Sequence, residues 1–265
     1  MNDNLYYTIY NTSKNHNQPW LVFLAGYTGS CETWNSLCSA LLTQEDYSIL
    51  LIDNLGAGKS LQPIGTYTTE EMAAHVMHII NKLNINKIWL LGHSMGGAIA
   101  QQIVLTHPDL VQHLFLISSF AELDAVARLF LIGRYELLKS GADKHAVALS
   151  TIPTIFSNRF LCQEDNQKLA MQRMINNPQT LAGMFGQLNA CLKHDAKNEL
   201  VRIKCYTSII TGDDDVLVNP RHSTYLHSAI INSTFNCISN AGHMVQLEQP
   251  QELANIIIKE TYSFQ

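Results

Sequence analysis

Residues 88–97 read Ile88-Trp89-Leu90-Leu91-Gly92-His93-Ser94-Met95-Gly96-Gly97. A short apolar run, the pattern of a buried strand, leads straight into G-x-S-x-G. The next segment, Ala98-Ile99-Ala100-Gln101-Gln102-Ile103-Val104-Leu105, is good helix material. Strand, sharp turn and helix thus occur in the order that a nucleophile elbow requires. Gly92 and Gly96 flank the serine because side chains at those positions would collide in so tight a turn. An ordinary glycine-rich strand-to-helix loop is the competing reading, and the context on both sides favours the nucleophile. The elbow places the backbone N–H of Met95 where it can face an oxyanion.

Working outward, short apolar runs alternate with helical patterns. Tyr6–Tyr10 and Trp20–Leu24 read as strands, Thr33–Leu42 as a helix with Thr33 a fitting N-cap, and Ser48–Ile52 as a strand. Thr69–Leu83 reads as a helix with Glu70 and Glu71 in its first turn. Lys87–Leu91 is the elbow strand, Met95–His107 its helix, stopped by Pro108, and Leu114–Ser118 a strand. Strands Tyr206–Thr211 and Thr234–Ile238 and helices Pro220–Leu226 and Pro250–Tyr262 complete the alternation. The pattern predicts an α/β fold, a mainly parallel sheet with helices on both faces. Between Ala121 and Val201 the alternation breaks into four helix-like pieces, Leu123–Leu138, Ala142–Leu149, Asp165–Ile175 and Thr180–Leu192.

A serine hydroxyl needs a base, and the base an orienting acid. The chain order serine, acid, histidine directs attention downstream of the elbow. There the β-branched run Tyr206–Thr211 ends in Gly212-Asp213-Asp214-Asp215, and Thr234–Ile238 is followed by Ser239-Asn240-Ala241-Gly242-His243-Met244. Both groups sit just past strand ends, on the sheet edge where open α/β sheets bind ligands. Asp213, Asp214 and Asp215 all remain candidates on this argument, and a solvated acidic turn or weak cation site competes with them. No second ligand cluster accompanies the triplet, which disfavours a metal.

These motifs resemble the α/β-hydrolase family over most of the chain outside the 121–201 insert. The resemblance implies residues 1–120 and 202–265 as an α/β-hydrolase core and 121–201 as a helical cap. It implies Asp215, three residues after the strand-ending glycine, as the acid. It also implies His243, in its Ala-Gly-His segment before Glu248-Gln249-Pro250, as the base. The loop Ala25-Gly26-Tyr27-Thr28-Gly29-Ser30 is similar to the family's His-Gly-x loop, which implies the Tyr27 N–H as the second oxyanion donor. Ala25 stands where the family usually has a histidine that braces this loop. Gly56-Ala57-Gly58-Lys59-Ser60 looks like a phosphate loop, but Asp53 occupies its required first glycine, and Pro63 and Gly65 interrupt the helix that should follow. It resembles instead the family's Asp-x-x-Gly-x-Gly-x-Ser turn.

Composition narrows the functional classes. The chain has 265 residues, 46% of them hydrophobic and 15% charged, with net charge −5 and no basic cluster. That argues for a globular domain without a nucleic-acid partner. No apolar run reaches the length of a membrane helix. Met1-Asn2-Asp3-Asn4-Leu5 shows no basic-then-apolar leader, so the expected location is cytoplasmic. Cys31, Cys38, Cys162, Cys191, Cys205 and Cys237 are scattered without C-x-x-C pairs and read as reduced, mostly packing residues. His75 and His78 lie one turn apart but lack a third ligand, so they read as a polar helix face. His93 is expected to pack beside the serine, too constrained to be the base. Asp124 is a minority candidate for the acid. Arg134 and Arg159 are minority candidates for an acidic substrate group, with solvated surface the expected reading.

The reading is therefore a serine hydrolase cleaving carboxylic esters through an acyl-enzyme, with Ser94, His243, Asp215, Tyr27 and Met95 as site residues. No cofactor and no metal are expected. The partner is a small ester or acyl compound, free or carrier-bound. Similarity extends to small bacterial esterases of the pimeloyl-carrier methyl esterase and enol-lactonase types. A thioesterase or acyltransferase would use the same parts, and a binding-only member of the fold is the reading from a different class.

Overall fold

Seven short runs pair into one sheet in a computed structural model that describes residues 4–15 and 17–262. The strands are β1 (Tyr7–Asn11), β2 (Trp20–Leu24), β3 (Ile49–Ile52), β4 (Ile88–His93), β5 (Val111–Ile117), β6 (Tyr206–Gly212) and β7 (Ser233–Ile238). Their order is β1-β3-β2-β4-β5-β6-β7; β1 is antiparallel to β3 and every other pair is parallel. The leader-free reading of the N-terminus concerns residues 1–3 above all, which lie outside the described residues. No helix among the described residues is long and apolar enough to cross a membrane.

The central strands are apolar on both sides because helices cover both faces. Leu21, Phe23, Trp89, Leu91, Phe115 and Ile117 pack with Trp34, Leu37 and Leu41 and with Leu253 and Ile257. Those partners come largely from α1 (Asn35–Leu42) and α11 (Pro250–Tyr262). Val22, Leu24, Leu90, Leu114 and Leu116 point the other way. They meet Met72, Val76 and Ile80 of α2 (Thr69–Lys82) and Ile99 and Ile103 of α3 (Met95–Thr106). Each such side chain contributes about 1.5–3 kcal/mol when fully buried, so these two layers fix the sheet that carries the loops. α9 (Pro220–Ala229) joins β6 to β7.

Between β5 and β6 run α4 (Ala125–Lys139), α5 (Lys144–Ile155), α6 (Asn158–Leu161), α7 (Glu164–Ile175) and α8 (Leu181–Lys193). Several boundaries depart from expectation for physical reasons. A 3₁₀ turn, Cys31–Trp34, precedes α1, and Thr33 is buried within it instead of capping. That turn is organised from outside, by Asp53 accepting the Cys31 N–H at 2.6 Å. α2 is capped by Thr68, whose hydroxyl accepts the Glu71 N–H while the Glu71 carboxylate accepts the Thr68 N–H. α5 runs through Pro153 to Ile155, past the expected end at Leu149, because Thr151 and Ile152 in its last turns are themselves buried. The short α6 and α10 (Val245–Glu248) had no helical period to announce them.

Candidate active site

β2 and β4 are neighbours, with Leu24 beside Gly92, so the loops leaving them share one edge of the sheet. Ser94 is the hinge between β4 and α3. Its backbone has φ 52° and ψ −119°, a conformation that costs a non-glycine residue strain. Its N–H donates to the Ile117 carbonyl, and its own carbonyl accepts from the Gly97 N–H and the Ser119 hydroxyl, each at 2.9 Å, and from the Ala98 N–H at 3.2 Å. A Cβ on Gly92 would lie 2.4 Å from the Gly96 carbonyl oxygen, and one on Gly96 2.0 Å from that of Leu24. Backbone meets backbone at both places, so only glycine fits. Met95 opens α3, so no carbonyl four residues back can take its N–H, and the helix N-terminus favours negative charge there.

The histidine loop follows β7 and the acid loop follows β6. The two are stitched together, the Asp213 N–H donating to Ile238 (3.0 Å) and the Asp214 N–H to Ala241 (2.9 Å). His243 and Asp215 are both buried, and His243 Nδ1–H donates to Asp215 Oδ2 at 2.9 Å. Asp215 Oδ1 accepts the Val218 N–H, also at 2.9 Å. This bond fixes the tautomer: with hydrogen on Nδ1, the lone pair sits on Nε2. Asp213 and Asp214 are exposed, and Asp214 instead accepts the Asn158 N–H at 3.3 Å. Asp124 is elsewhere, capping α4 and pairing with Arg221 and His222.

His93 is buried beside His243, ring centroids 4.7 Å apart. Its Nε2–H donates to the His243 carbonyl at 2.8 Å. Burial first, and then the neighbouring imidazole, push its pKa down to about 3, so it stays neutral and acts as a prop.

Tyr27 stands in the loop after β2, and neighbouring groups brace that loop from three directions. Asn54 donates to the Ala25 carbonyl (2.7 Å), the Thr28 N–H donates to Gln187 of α8 (2.9 Å), and Asn177 donates to the Thr28 carbonyl (2.8 Å). Ala25, where the family usually has histidine, is fully buried. Glu248 plays a similar part for the histidine loop. Its carboxylate accepts the Gly242 N–H at 3.0 Å and the Ser157 N–H at 3.1 Å, and burial raises its pKa. Asn54, Gln187 and Ser119 do not figure in the sequence reading, and Glu248 figures there only as part of the segment that follows His243. Gln187 alone carried a signal, a polar residue on the helical face of Met184, Leu188 and Cys191.

Ser94, His93 and His243 border one cavity of about 360 Å³, together with Gly26, Tyr27 and many apolar side chains. Phe130, Leu131, Ile155, Phe156 and Met174, from the segment between β5 and β6, line it as well. Arg134 also borders it, which corrects the expectation of a solvated surface: the apolar face of α4 turns that guanidinium inward. Arg159 is exposed, as expected of a surface residue. The cysteines carry free thiols; Cys31, Cys38 and Cys191 are buried in packing, while Cys162 and Cys237 lie on the surface. His75 and His78 join no group of three or more metal-ligating side chains among the described residues.

The arrangement is a strained serine, a tautomer-fixed histidine and backbone donors around one apolar cavity. Several known proteins have similar chains or folds. A candidate carbamate hydrolase, RutD, of Pseudomonas savastanoi pv. phaseolicola is 28% identical over 88% of this chain and 89% of its own. The crystal structure of a candidate non-heme bromoperoxidase, BpoC, of Mycobacterium tuberculosis H37Rv matches with TM-score 0.88 at 26% identity, covering 99% of this chain and 97% of that one. The enol-lactonase of Burkholderia xenovorans LB400 shares the fold, with TM-score 0.86 at 22% identity over 96% and 95% of the two chains. Residues 19–250 match the alpha/beta hydrolase fold family, and the chain belongs to that family.

Proposed function

We propose that this chain hydrolyses carboxylic esters through an acyl-enzyme, with Ser94 as nucleophile and His243 as general base. His243 Nε2 takes the hydroxyl proton as Ser94 Oγ attacks the acyl carbon. Asp215 holds the imidazole in that tautomer and stabilises the imidazolium. The N–H groups of Tyr27 and Met95 hold the oxyanion, each such donor being worth about 10²–10³ in rate. His243 then gives its proton to the leaving alcohol, and a water deprotonated by His243 releases the acid. Residues 121–201 act as a cap over the core formed by 1–120 and 202–265, and the substrate is a small ester or acyl compound, free or carrier-bound.

The observation that carries this reading is the buried 2.9 Å bond from His243 to Asp215 at a cavity that also borders a serine at φ 52°. Cleavage of a carbamate is the second reading. It uses the same parts, and the RutD relatives favour it. The test is turnover of p-nitrophenyl acetate to palmitate and of a p-nitrophenyl carbamate, wild type beside Ser94→Ala. Ester turnover lost in Ser94→Ala is the expected result. Preference for the carbamate by kcat/KM would favour the second reading. A folded wild type that cleaves none of these would overturn both and leave a thioesterase, an acyltransferase or a binding role.

A further inference from the structure

Arg134 stands in the wall between two cavities. One is the cavity at Ser94. The other, about 330 Å³, lies under α4, α5 and α8, among Leu138, Val147, Leu181 and Met184. Thr28, Arg134, Met174 and Asn177 border both.

The guanidinium has no carboxylate partner among the described residues, and its Nε–H is buried without a hydrogen bond. Its charge faces the ring of Tyr27, 5.6 Å from Cζ to the ring centroid. The Tyr27 hydroxyl is likewise buried without a partner. Burial lowers the basicity of Arg134 and raises the pKa of Tyr27, the signs expected of groups in apolar surroundings with no counter-charge. Glu32 and Arg173, the other residues of permanent charge that border the Ser94 cavity, are exposed.

Arg134 is half-buried, yet its Nε–H is buried without a partner and no anion stands beside it among the described residues; that is costly, and a leucine would fill the same space with no charge to desolvate. Arginine also offers a rigid fork that matches a carboxylate with two parallel hydrogen bonds. In the wall of the cavity at Ser94, that fork can meet a carboxylate. Resting on the esterase reading above, we infer that the substrate carries a free carboxylate that Arg134 binds.

Tyr27 sets the spacing. Its backbone N–H is the proposed oxyanion donor, and its ring touches the guanidinium. The scissile carbonyl and the free carboxylate are therefore separated by the reach of one tyrosine side chain and one contact layer. That span suits a chain of a few methylenes, so the substrate class is the monoester of a short dicarboxylic acid. The second cavity borders Arg134 as well, but neither Ser94 nor His243.

The test compares kcat/KM for p-nitrophenyl hydrogen succinate, glutarate and adipate with the same esters methylated on the free acid. Wild type should prefer the acid of the best length by about 10- to 100-fold, the worth of a charge-assisted hydrogen-bonded pair. Arg134→Gln and Arg134→Leu should bring that ratio close to one, mainly through KM, and Arg134→Lys should keep part of it. Thermal melts with 10 mM glutarate, chosen as a roughly saturating concentration for a weak product, give a second readout: a raised Tm in wild type and none in Arg134→Gln. If neutral esters turn over and the ratio is the same in wild type and variants, the carboxylate inference falls while the esterase reading stands. If no ester turns over but glutarate still raises Tm only when Arg134 is present, the esterase reading falls and the anion site stands. No turnover and no shift overturn both.

Discussion

Asp215→Asn exchanges one buried oxygen for an NH2 group, and the structure dictates which way the amide must turn. In the native chain Oδ2 accepts the His243 Nδ1–H and Oδ1 accepts the Val218 N–H, both at 2.9 Å. The asparagine carbonyl can keep one of these bonds. With the NH2 toward Val218, two donors would face each other in a buried space, at a cost of about 1–3 kcal/mol. With the NH2 toward His243, the amide donates to Nδ1 and moves the imidazole hydrogen to Nε2. The second orientation wins, and an Nε2 that carries hydrogen cannot take the Ser94 proton. The expected result is a fall in kcat of about 10⁴-fold, close to 5.5 kcal/mol of barrier. KM should stay within about threefold, since the substitution touches no part of the ground-state complex. Steady-state kinetics on the best p-nitrophenyl ester, with thermal melts to confirm folding, measure this. Asp214→Asn is the control: that exposed carboxylate accepts the Asn158 N–H and touches neither His243 nor Val218 in any hydrogen bond among the described residues, and kcat should hold within about threefold. An Asp215→Asn protein that retains a tenth of wild-type kcat, or an Asp214→Asn protein that loses more than its neighbour, would refute the tautomer argument.

Ser94→Gly should raise stability while abolishing activity: relief of about 1–3 kcal/mol of strain at φ 52° outweighs the ~0.5–1 kcal/mol glycine adds to unfolded-chain entropy. A Tm rise of about 2–4 °C is expected, and a fall would show that the elbow is unstrained. Gln187→Leu removes the acceptor of the Thr28 N–H and the donor to the Leu55 carbonyl, and should cost about 1–3 kcal/mol. It should also lower kcat through the loosened Tyr27 loop, and an unchanged kcat would separate the brace from the chemistry. Glu248→Ala leaves the Gly242 and Ser157 N–H groups without their acceptor, and urea melts should show a loss of about 1–3 kcal/mol with a lowered kcat. Burial holds His93 at about 3 and His113 and His194 at about 4, below the ordinary 6.5. These depressed values mean that below pH 6.5 the unfolded chain binds protons that the native chain refuses. Stability is then lost as pH falls from 6.5 toward 4, with a slope of up to about 1.4 kcal/mol per pH unit for each histidine. Melts between pH 7 and 4.5 test this, and a Tm that is flat over that range would count against the buried neutral histidines.

The sheet was legible because its signals are local. Leu21-Val22-Phe23-Leu24, Ile49-Leu50-Leu51-Ile52 and Trp89-Leu90-Leu91 are buried on both sides, so they read as unbroken apolar runs, and the glycine-flanked Ser94 marks its own turn. The antiparallel direction of β1 was not legible, since strand direction depends on where the chain returns. In the 121–201 segment the amphipathic α4, α7 and α8 were found, but the short α6 was not. Its start is set by Ser157, tied to Glu248 and Asn240 some 83 to 91 residues away. Arg134 was misplaced for a related reason: a charged side chain on a helix defaults to solvent unless the apolar surface that surrounds it is known.

The long-range braces connect the two halves of the site. Gln187 and Asn177, from the segment between β5 and β6, hold the loop of Tyr27. Ser157 of the same segment shares the Glu248 carboxylate with Gly242, and the Ile155 carbonyl accepts the Met244 N–H at 3.2 Å. The segment between β5 and β6 thus grips the proposed oxyanion loop on one side and the proposed base on the other. Ala25 has no side chain to brace the loop from within, and that work falls to Asn54, at the Ala25 carbonyl, and to Gln187 and Asn177. The cavity wall and the donor geometry are therefore set by the same residues. Substitutions that reshape this wall to admit other substrates act on the loops of Tyr27 and His243 as well, and Arg134, whose charge lies over the Tyr27 ring, reaches the first of these loops too.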